Sequence, residues 1–167
     1  QAQQQIYAKF SSKMLSVCRQ YIKDIHHAED VMITGFMKVF TNLKNFEHKG
    51  SFEGWIRRIM VYECIDFLRV KKNNFNHQDI EDVTISENES VYEMEDFSVD
   101  DIQNMIDNLP DGYKMVFNLY AIEGYKHQEI AEMLKISEGT SKSQLSHARK
   151  LLQQQITELK KKLNGTK

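Results

Sequence analysis

Residues 127–152 read HQEIAEMLKISEGTSKSQLSHARKLL, and their apolar spacing decides the fold of the C-terminal part of the chain. Ile130, Ala131 and Leu134 recur at helical steps, which predicts a short helix over 126–134. Ala131 is small where a second helix must cross closely. Lys135 and Ile136 make a tight turn, and Ser137 is placed to cap a following helix through Leu145 and Ala148. Two short helices with a small residue at the crossing and a short turn make a helix-turn-helix. The second helix exposes Thr140, Lys142, Ser143, Ser146, His147, Arg149 and Lys150. Short hydroxyls, an imidazole and cations suit a DNA major groove, where they meet base edges and phosphates. A packing hairpin with a polar face fits the same pattern.

Helical periodicity extends outward from this segment. Val99, Ile102, Ile106 and Leu109 predict a helix over 99–109, broken by Pro110 and Gly112, and a further helix follows over about 112–123. The last helix continues over 138–163, with lysines in its closing turns and Gly165 as a stop. In the N-terminal part, Ile6, Phe10, Met14, Val17 and Tyr21 mark a helix over 4–23. Ala28, Val31, Gly35, Phe36, Val39, Phe40 and Leu43 mark a second over 27–43. Phe52, Trp55, Ile56, Ile59, Met60, Cys64, Ile65 and Leu68 mark a third over 51–70, with Ser51 as its N-cap. Residues 73–97 have no period and are rich in acids, Asn and Ser, so they read as a linker. The fold class is therefore all-α: two small helical domains, 1–72 and 98–167, joined by an acidic linker over 73–97.

The 167-residue chain has one Pro and seven Gly, too few for a many-turned β architecture. Its apolar runs fall far short of a membrane span, and no secretory signal is visible in the sequence. Two cysteines make neither a disulfide framework nor a metal set. The expectation is a cytoplasmic protein. The net charge of −2 conceals a strong pattern. Residues 1–72 carry 12 Lys/Arg against 7 Asp/Glu, 73–113 carry no Lys or Arg and 12 acids, and 114–167 carry 10 against 5. Two basic lobes around an acidic tether suggest polyanion binding at both ends, with the tether competing for the basic faces. A solvated surface of uneven charge is the alternative.

Arg57, Arg58, Arg69, Lys71 and Lys72 lie on or just after the 51–70 helix, and phosphate contact is the favoured reading. Trp55 forms an aromatic stripe with Phe52 and Phe67, which reads as helix core for Phe52 and is left open for Trp55. Asp66 stands three residues before Arg69 and can position it. His26, His27, Glu29 and Asp30 mimic a metal cluster, but no HExxH or Cys partner accompanies them, so no metal or other cofactor is expected. No catalytic triad or phosphate-cradling Gly-rich loop is present, so the chain is not expected to be an enzyme.

The segment IAEMLKISEGTSKSQLSHARKLL closely resembles region 4 of extracytoplasmic-function (ECF) sigma factors, and LPDGYKMVFNLYAIEGYKHQEIA resembles the part preceding it. In the first lobe, HHAEDVMITGFMKVFTNLKNF resembles region 2.2, and GSFEGWIRRIMVYECIDFLRVKK resembles regions 2.3 and 2.4. The resemblance implies a protein that binds core RNA polymerase and promoter DNA, with an anti-sigma factor as a further partner. It implies that Asp30, Phe36 and Phe40 lie on or support the polymerase-docking face. It further implies that Trp55, Arg57, Arg58, Tyr62, Arg69, Lys71 and Lys72 meet the −10 element, that the loop 44–51 receives an unpaired base, and that helix 138–150 reads the −35 element. The chain departs from the family pattern at Ile33 (Gln), Tyr62 (Asn), Lys135 (often Gly), Ser141 (Val), Gln144 (Arg) and His147 (Arg). A helix-turn-helix regulator acting without polymerase and a protein-interaction module are the other readings. A plain repressor has no use for the region 2 segment.

Overall fold

The computed structural model describes residues 1–74 and 97–165, without the side chains of 71–74. The acidic linker, apart from residues 73, 74 and 97, and the side chains of Lys71 and Lys72 lie outside the described residues. Among the described residues there are seven α-helices and no strand. The chain divides into two compact units, Gln1–Asn76 and His77–Lys167.

The first unit packs α1 (Ala2–Tyr21), α2 (Ile25–Thr41) and α3 (Phe52–Asn74) against one another. Helix α1 turns Phe10, Met14, Val17, Cys18 and Tyr21 inward, one stripe at three- and four-residue spacing. Helix α2 starts earlier than the apolar pattern suggests. Its N-cap is Asp24, whose carboxylate accepts from the backbone N–H groups of His26 and His27 at 2.9 and 3.0 Å. Those two bonds hold the Asp24 carboxyl below its ordinary pKa, with the histidine charges adding to the effect and slight burial opposing it. A 3₁₀ turn, Leu43–Asn45, leaves α2, and His48 and Gly50 then adopt left-handed backbone at φ 56 and 82. Ser51 caps α3 as expected, its hydroxyl accepting from Gly54 N–H at 3.0 Å. Helix α3 runs on through residues 73 and 74, which the composition assigned to the linker. α2 crosses α3 at Gly35, where any Cβ would collide with the thioether of Met60.

The first described residue of the second unit is Phe97, which also read as linker but is buried. Ser98 and Asp101 form a reciprocal capping box for α4 (Val99–Asp107). Helix α5 (Asp111–Phe117) passes into a π-helical turn, Asn118–Ile122, closed by left-handed Gly124. The helix expected over 112–123 thus widens after Phe117. Helix α6 (His127–Leu134) and helix α7 (Glu138–Asn164) follow. Lys135 takes the left-handed cap between them at φ 55, and the Ser137 hydroxyl accepts from Thr140 N–H at 3.0 Å, as the turn reading requires. Helix α6 buries Ile130 and Met133, whereas Ala131 and Leu134 are only half-buried. Phe97, Met105, Leu109, Ala148, Leu152 and Ile156 form one apolar cluster that seats α4 on the later turns of α7.

Because Met60 fills the space above Gly35, Gly35→Val is expected to destabilise the first unit by about 1–3 kcal/mol through overpacking. In Gly35→Ala a helix-propensity gain of up to about 1 kcal/mol offsets part of the clash. Urea unfolding of the three chains checks the order, with Val least stable.

Candidate nucleic-acid interface

Trp55, Arg58, Ile59, Tyr62, Glu63 and Asp66 recur at three- and four-residue steps along α3 and line one groove. Lys38 of α2 with Asn42 and Asn45 of the following turn form the facing wall. The groove is open, with a volume of about 400 Å³, within the range of small-ligand pockets. Trp55 stacks on Phe52 at 5.7 Å between ring centres and meets Phe46 at 5.3 Å. Phe46 in turn carries His48 at 4.7 Å. Trp55 is half-buried: it packs on Phe46 and Phe52 and also lines the groove. The Arg58 guanidinium lies 5.8 Å from the Tyr62 ring centre, a cation–π arrangement that holds the cation at the rim. Of the loop 44–51, Asn45 is the residue that reaches the groove wall.

The remaining residues expected at the −10 element separate. Arg69 stands one turn beyond Asp66 on the same stripe, and the two pair at 3.8 Å, as their spacing suggested. Arg57 does not join them. It lies on the side of α3 that also carries Val61, Cys64 and Leu68, and it is half-buried. The groove contains a buried charge that sequence reasoning missed. Glu63 is 8% exposed and pairs with Lys38 across the α2–α3 contact. The hydrogen bond to Glu63 raises the Lys38 pKa above its ordinary value, against partial desolvation. An acid on an otherwise apolar helix face was the available signal, since a buried carboxylate needs a cation.

On α2, Asp30 is exposed and Phe40 is half-buried, whereas Phe36 is 2% exposed. Phe36 is thus a core residue, edge-on to Tyr7 at 5.0 Å and beside Phe40 at 6.0 Å, and supports the outer surface without forming it. His27 of the metal-like HHAED run lies against Phe67 at 5.4 Å. Among the described residues no group of three His, Cys, Asp or Glu side chains is arranged to hold a metal.

Helix α7 buries Ser141, Leu145, Ala148 and Leu152. At about 100° per residue, Gly139, Ser143, Ser146 and Lys150 fall opposite that stripe. Lys142 and Arg149 flank it on one side, Thr140 and His147 on the other. Thr140, Lys142, Ser143 and Arg149 are exposed, while Ser146, His147 and Lys150 are half-buried. Thr140 Oγ1 accepts from the Ser137 hydroxyl at 2.8 Å, so it is part of the cap. Lys142 pairs with Glu138 at 3.5 Å. His147 stacks on Tyr113 of α5 at 5.3 Å and 18°, which turns it from the free groove-facing position its sequence neighbours suggested.

The other flank holds a cluster that periodicity could not assemble. Ser141 is 0% exposed, and its hydroxyl lies 2.8 Å from His127 Nδ1 at the start of α6. The His127 ring stacks on Tyr120 of the π turn at 4.6 Å and 20°, and the Arg149 guanidinium lies 5.7 Å from the Tyr120 ring centre. A serine on the apolar stripe of α7 was the signal in the sequence, because a buried hydroxyl requires a partner. Burial holds the His127 imidazole below its ordinary pKa of 6.5, with Lys142 and Arg149 reinforcing the effect and Glu138 opposing it.

Two predictions follow from these charges. A histidine whose folded-state pKa is depressed binds protons more readily when unfolded. Its stabilising contribution is therefore full above 6.5 and declines as pH falls through that value. The melting-temperature gap between wild type and His127→Phe should narrow as pH drops from 7 to 5, and an unchanged gap would contradict the assignment. At the other site, Lys38→Met leaves the Glu63 carboxylate buried without its cation and should cost about 1–3 kcal/mol. Adding Glu63→Gln should recover most of that loss in urea titrations.

The family model "Sigma-70 region 2" matches residues 6–74, and "Sigma-70, region 4" matches residues 99–152. The ECF RNA polymerase sigma factor SigW of Bacillus subtilis (strain 168) is 29% identical over 163 residues, covering 90% of this chain and 86% of the relative. The ECF RNA polymerase sigma-E factor of Haemophilus influenzae is 24% identical, covering 92% and 87%. Among solved structures, the sigma factor RpoE in complex with the anti-sigma factor NepR from Bartonella quintana matches with a TM-score of 0.59 at 19% identity, covering 92% of this chain and 96% of that one. CnrH in complex with the cytosolic domain of CnrY gives 0.52 at 19%, covering 94% and 88%. These two share the fold. With region 2 and region 4 matched in order, one on each helical unit, the chain belongs to the sigma-70 family, in its extracytoplasmic-function group.

Proposed function

We propose that this chain is a promoter-specificity subunit that binds core RNA polymerase, recognises −35 and −10 elements and helps open the duplex to start transcription. The observation that carries the reading is the pair of family matches, region 2 over 6–74 and region 4 over 99–152. In this reading the exposed face of α2 around Asp30, backed by Phe36 and Phe40, docks the polymerase. The groove stripe of α3 meets the opened −10 strand: Trp55 and Tyr62 offer ring faces, and Arg58, Arg69, Lys71 and Lys72 meet phosphates. Flipping a base from the stack costs a few kcal/mol, and an aromatic-walled groove beside Asn42 and Asn45 offsets that cost. Helix α7 enters the −35 major groove with Ser143, Ser146 and Lys150 foremost and Thr140, Lys142, His147 and Arg149 at its flanks. The domain limits 1–72 and 98–167 belong to the same reading, as do a cytoplasmic location and the absence of a catalytic step. Among the described residues no helix is long and apolar enough to cross a membrane. A structural neighbour solved with an anti-sigma factor supports a partner of that kind here.

Co-purification with core RNA polymerase, followed by run-off transcription on genomic fragments, tests the proposal. A chain that fails to join the core enzyme overturns it. Trp55→Ala and Arg58→Ala are expected to associate normally with polymerase but to form open complexes more slowly. A Trp55→Ala chain that simply unfolds, with a loss near the ~3–5 kcal/mol typical of a core aromatic, would return Trp55 to the core alone.

A further inference from the structure

Arg149 is a cation of α7 whose position is set from outside its own helix. Its guanidinium lies 5.7 Å from the centre of the Tyr120 ring, and Tyr120 belongs to the π turn, not to α7. Tyr120 is itself 36% exposed, so packing alone does not fix its ring. The ring is backed by the His127 imidazole at 4.6 Å, nearly parallel at 20°. The imidazole is fixed in turn, because its Nδ1 lies 2.8 Å from the hydroxyl of fully buried Ser141. A chain of contacts thus runs from the first turn of α7, through the start of α6 and the π turn, and back to the third turn of α7. An arginine side chain loses substantial rotamer freedom when it settles in one place. A platform that holds it before DNA arrives removes part of that cost from binding.

We propose that Tyr120 and His127 are positioning residues for promoter recognition: His127, locked by Ser141, holds the Tyr120 ring flat, and Tyr120 pre-places the Arg149 guanidinium at the flank of the DNA-facing surface. The proposal rests on the −35 reading of α7. It assigns no DNA contact to either ring. The depressed pKa of His127 agrees with it, because a neutral imidazole stacks beside Lys142 and Arg149 without adding a third positive charge, with Glu138 the acid nearby. Tyr113 and His147 form a similar stack on the opposite flank.

A double-mutant cycle in the reconstituted holoenzyme tests the proposal. The full chain with core RNA polymerase is titrated against a duplex promoter fragment selected from a randomised pool by the wild-type holoenzyme, and the melting temperature of each free chain is recorded. Tyr120→Leu is expected to weaken binding about three- to tenfold when Arg149 is present and less than about twofold in the Arg149→Ala background. Tyr120→Phe keeps the ring and should bind within about twofold of wild type. His127→Asn retains a hydrogen-bond partner for Ser141 but removes the stacked ring. It should show the same dependence on Arg149 and serves as a second variant should Tyr120→Leu fold poorly. Equal losses with and without Arg149 overturn the proposal while leaving the −35 reading standing, provided that Arg149→Ala alone weakens binding. An Arg149→Ala holoenzyme with wild-type affinity overturns both.

Discussion

Helix α7 is held along one buried stripe, while its opposite side, with Ser143 exposed and Ser146 and Lys150 half-buried, stays more open, and most of the second unit is arranged around that division. Its buried stripe, Ser141, Leu145, Ala148, Leu152 and Ile156, spans four turns. The earlier turns rest on α5 and α6, and the later turns rest on α4 and Phe97. At 27 residues the helix is long enough to use both seats. If the near end of α7 meets the −35 element as proposed, contacts there pull on a lever, and support at the far end resists it. The exposed face then needs no packing of its own and can carry small hydroxyl residues, which suit close approach to base edges.

The first unit solves a different problem with the same material. Its three helices bury a conventional apolar core, yet the side of α3 that faces its groove carries Arg58, Glu63, Asp66 and Arg69. Acids in a surface proposed to meet a polyanion are unfavourable unless each is neutralised nearby. Glu63 is paired with Lys38, and Asp66 with Arg69. The pairs leave the groove locally balanced, with Arg58 placed over an aromatic ring at its rim. Affinity for phosphate then comes from few cations and depends on their geometry. Such an arrangement favours discrimination over nonspecific sticking, because backbone contacts supply most sequence-independent affinity.

Much of this architecture was legible in the sequence because it depends on local rules. The periods of α1, α3 and α7, the Ser51 and Ser137 caps and the place of the tight turn at Lys135 and Ile136 follow from residue type and spacing, whereas the left-handed backbone of Lys135 does not. The Asp66–Arg69 pair was visible because the two residues share a helix. What escaped was tertiary. Arg57 reads as one more cation in a basic run, yet it lies on the core-facing side of α3. Phe97 reads as the end of a polar linker, yet it completes an apolar cluster. His147 reads as groove-facing, yet Tyr113, 34 positions earlier, claims its ring. The partners of Phe97 and His147 cannot be inferred from periodicity, since they are brought close by the packing of separate elements, whereas the register of Arg57 with Val61, Cys64 and Leu68 could have placed it.

Ser141 shows how such a partner can still be suspected. The period 141, 145, 148, 152 calls for an apolar residue at its first position, and the family pattern has Val there. A serine at that point either costs stability or signals a buried acceptor or donor, and the price of leaving it unpaired is about 1–3 kcal/mol. The structure supplies His127, and the pairing has consequences beyond the bond itself. A valine would fill the same space without constraining the imidazole's rotation. The hydroxyl fixes the ring plane, and the ring plane decides whether Tyr120 lies flat enough to receive a guanidinium. A buried polar substitution on a packing stripe can in this way set the geometry of a cation on the face proposed to meet DNA. The influence runs through the first helix of the motif, not through the recognition helix.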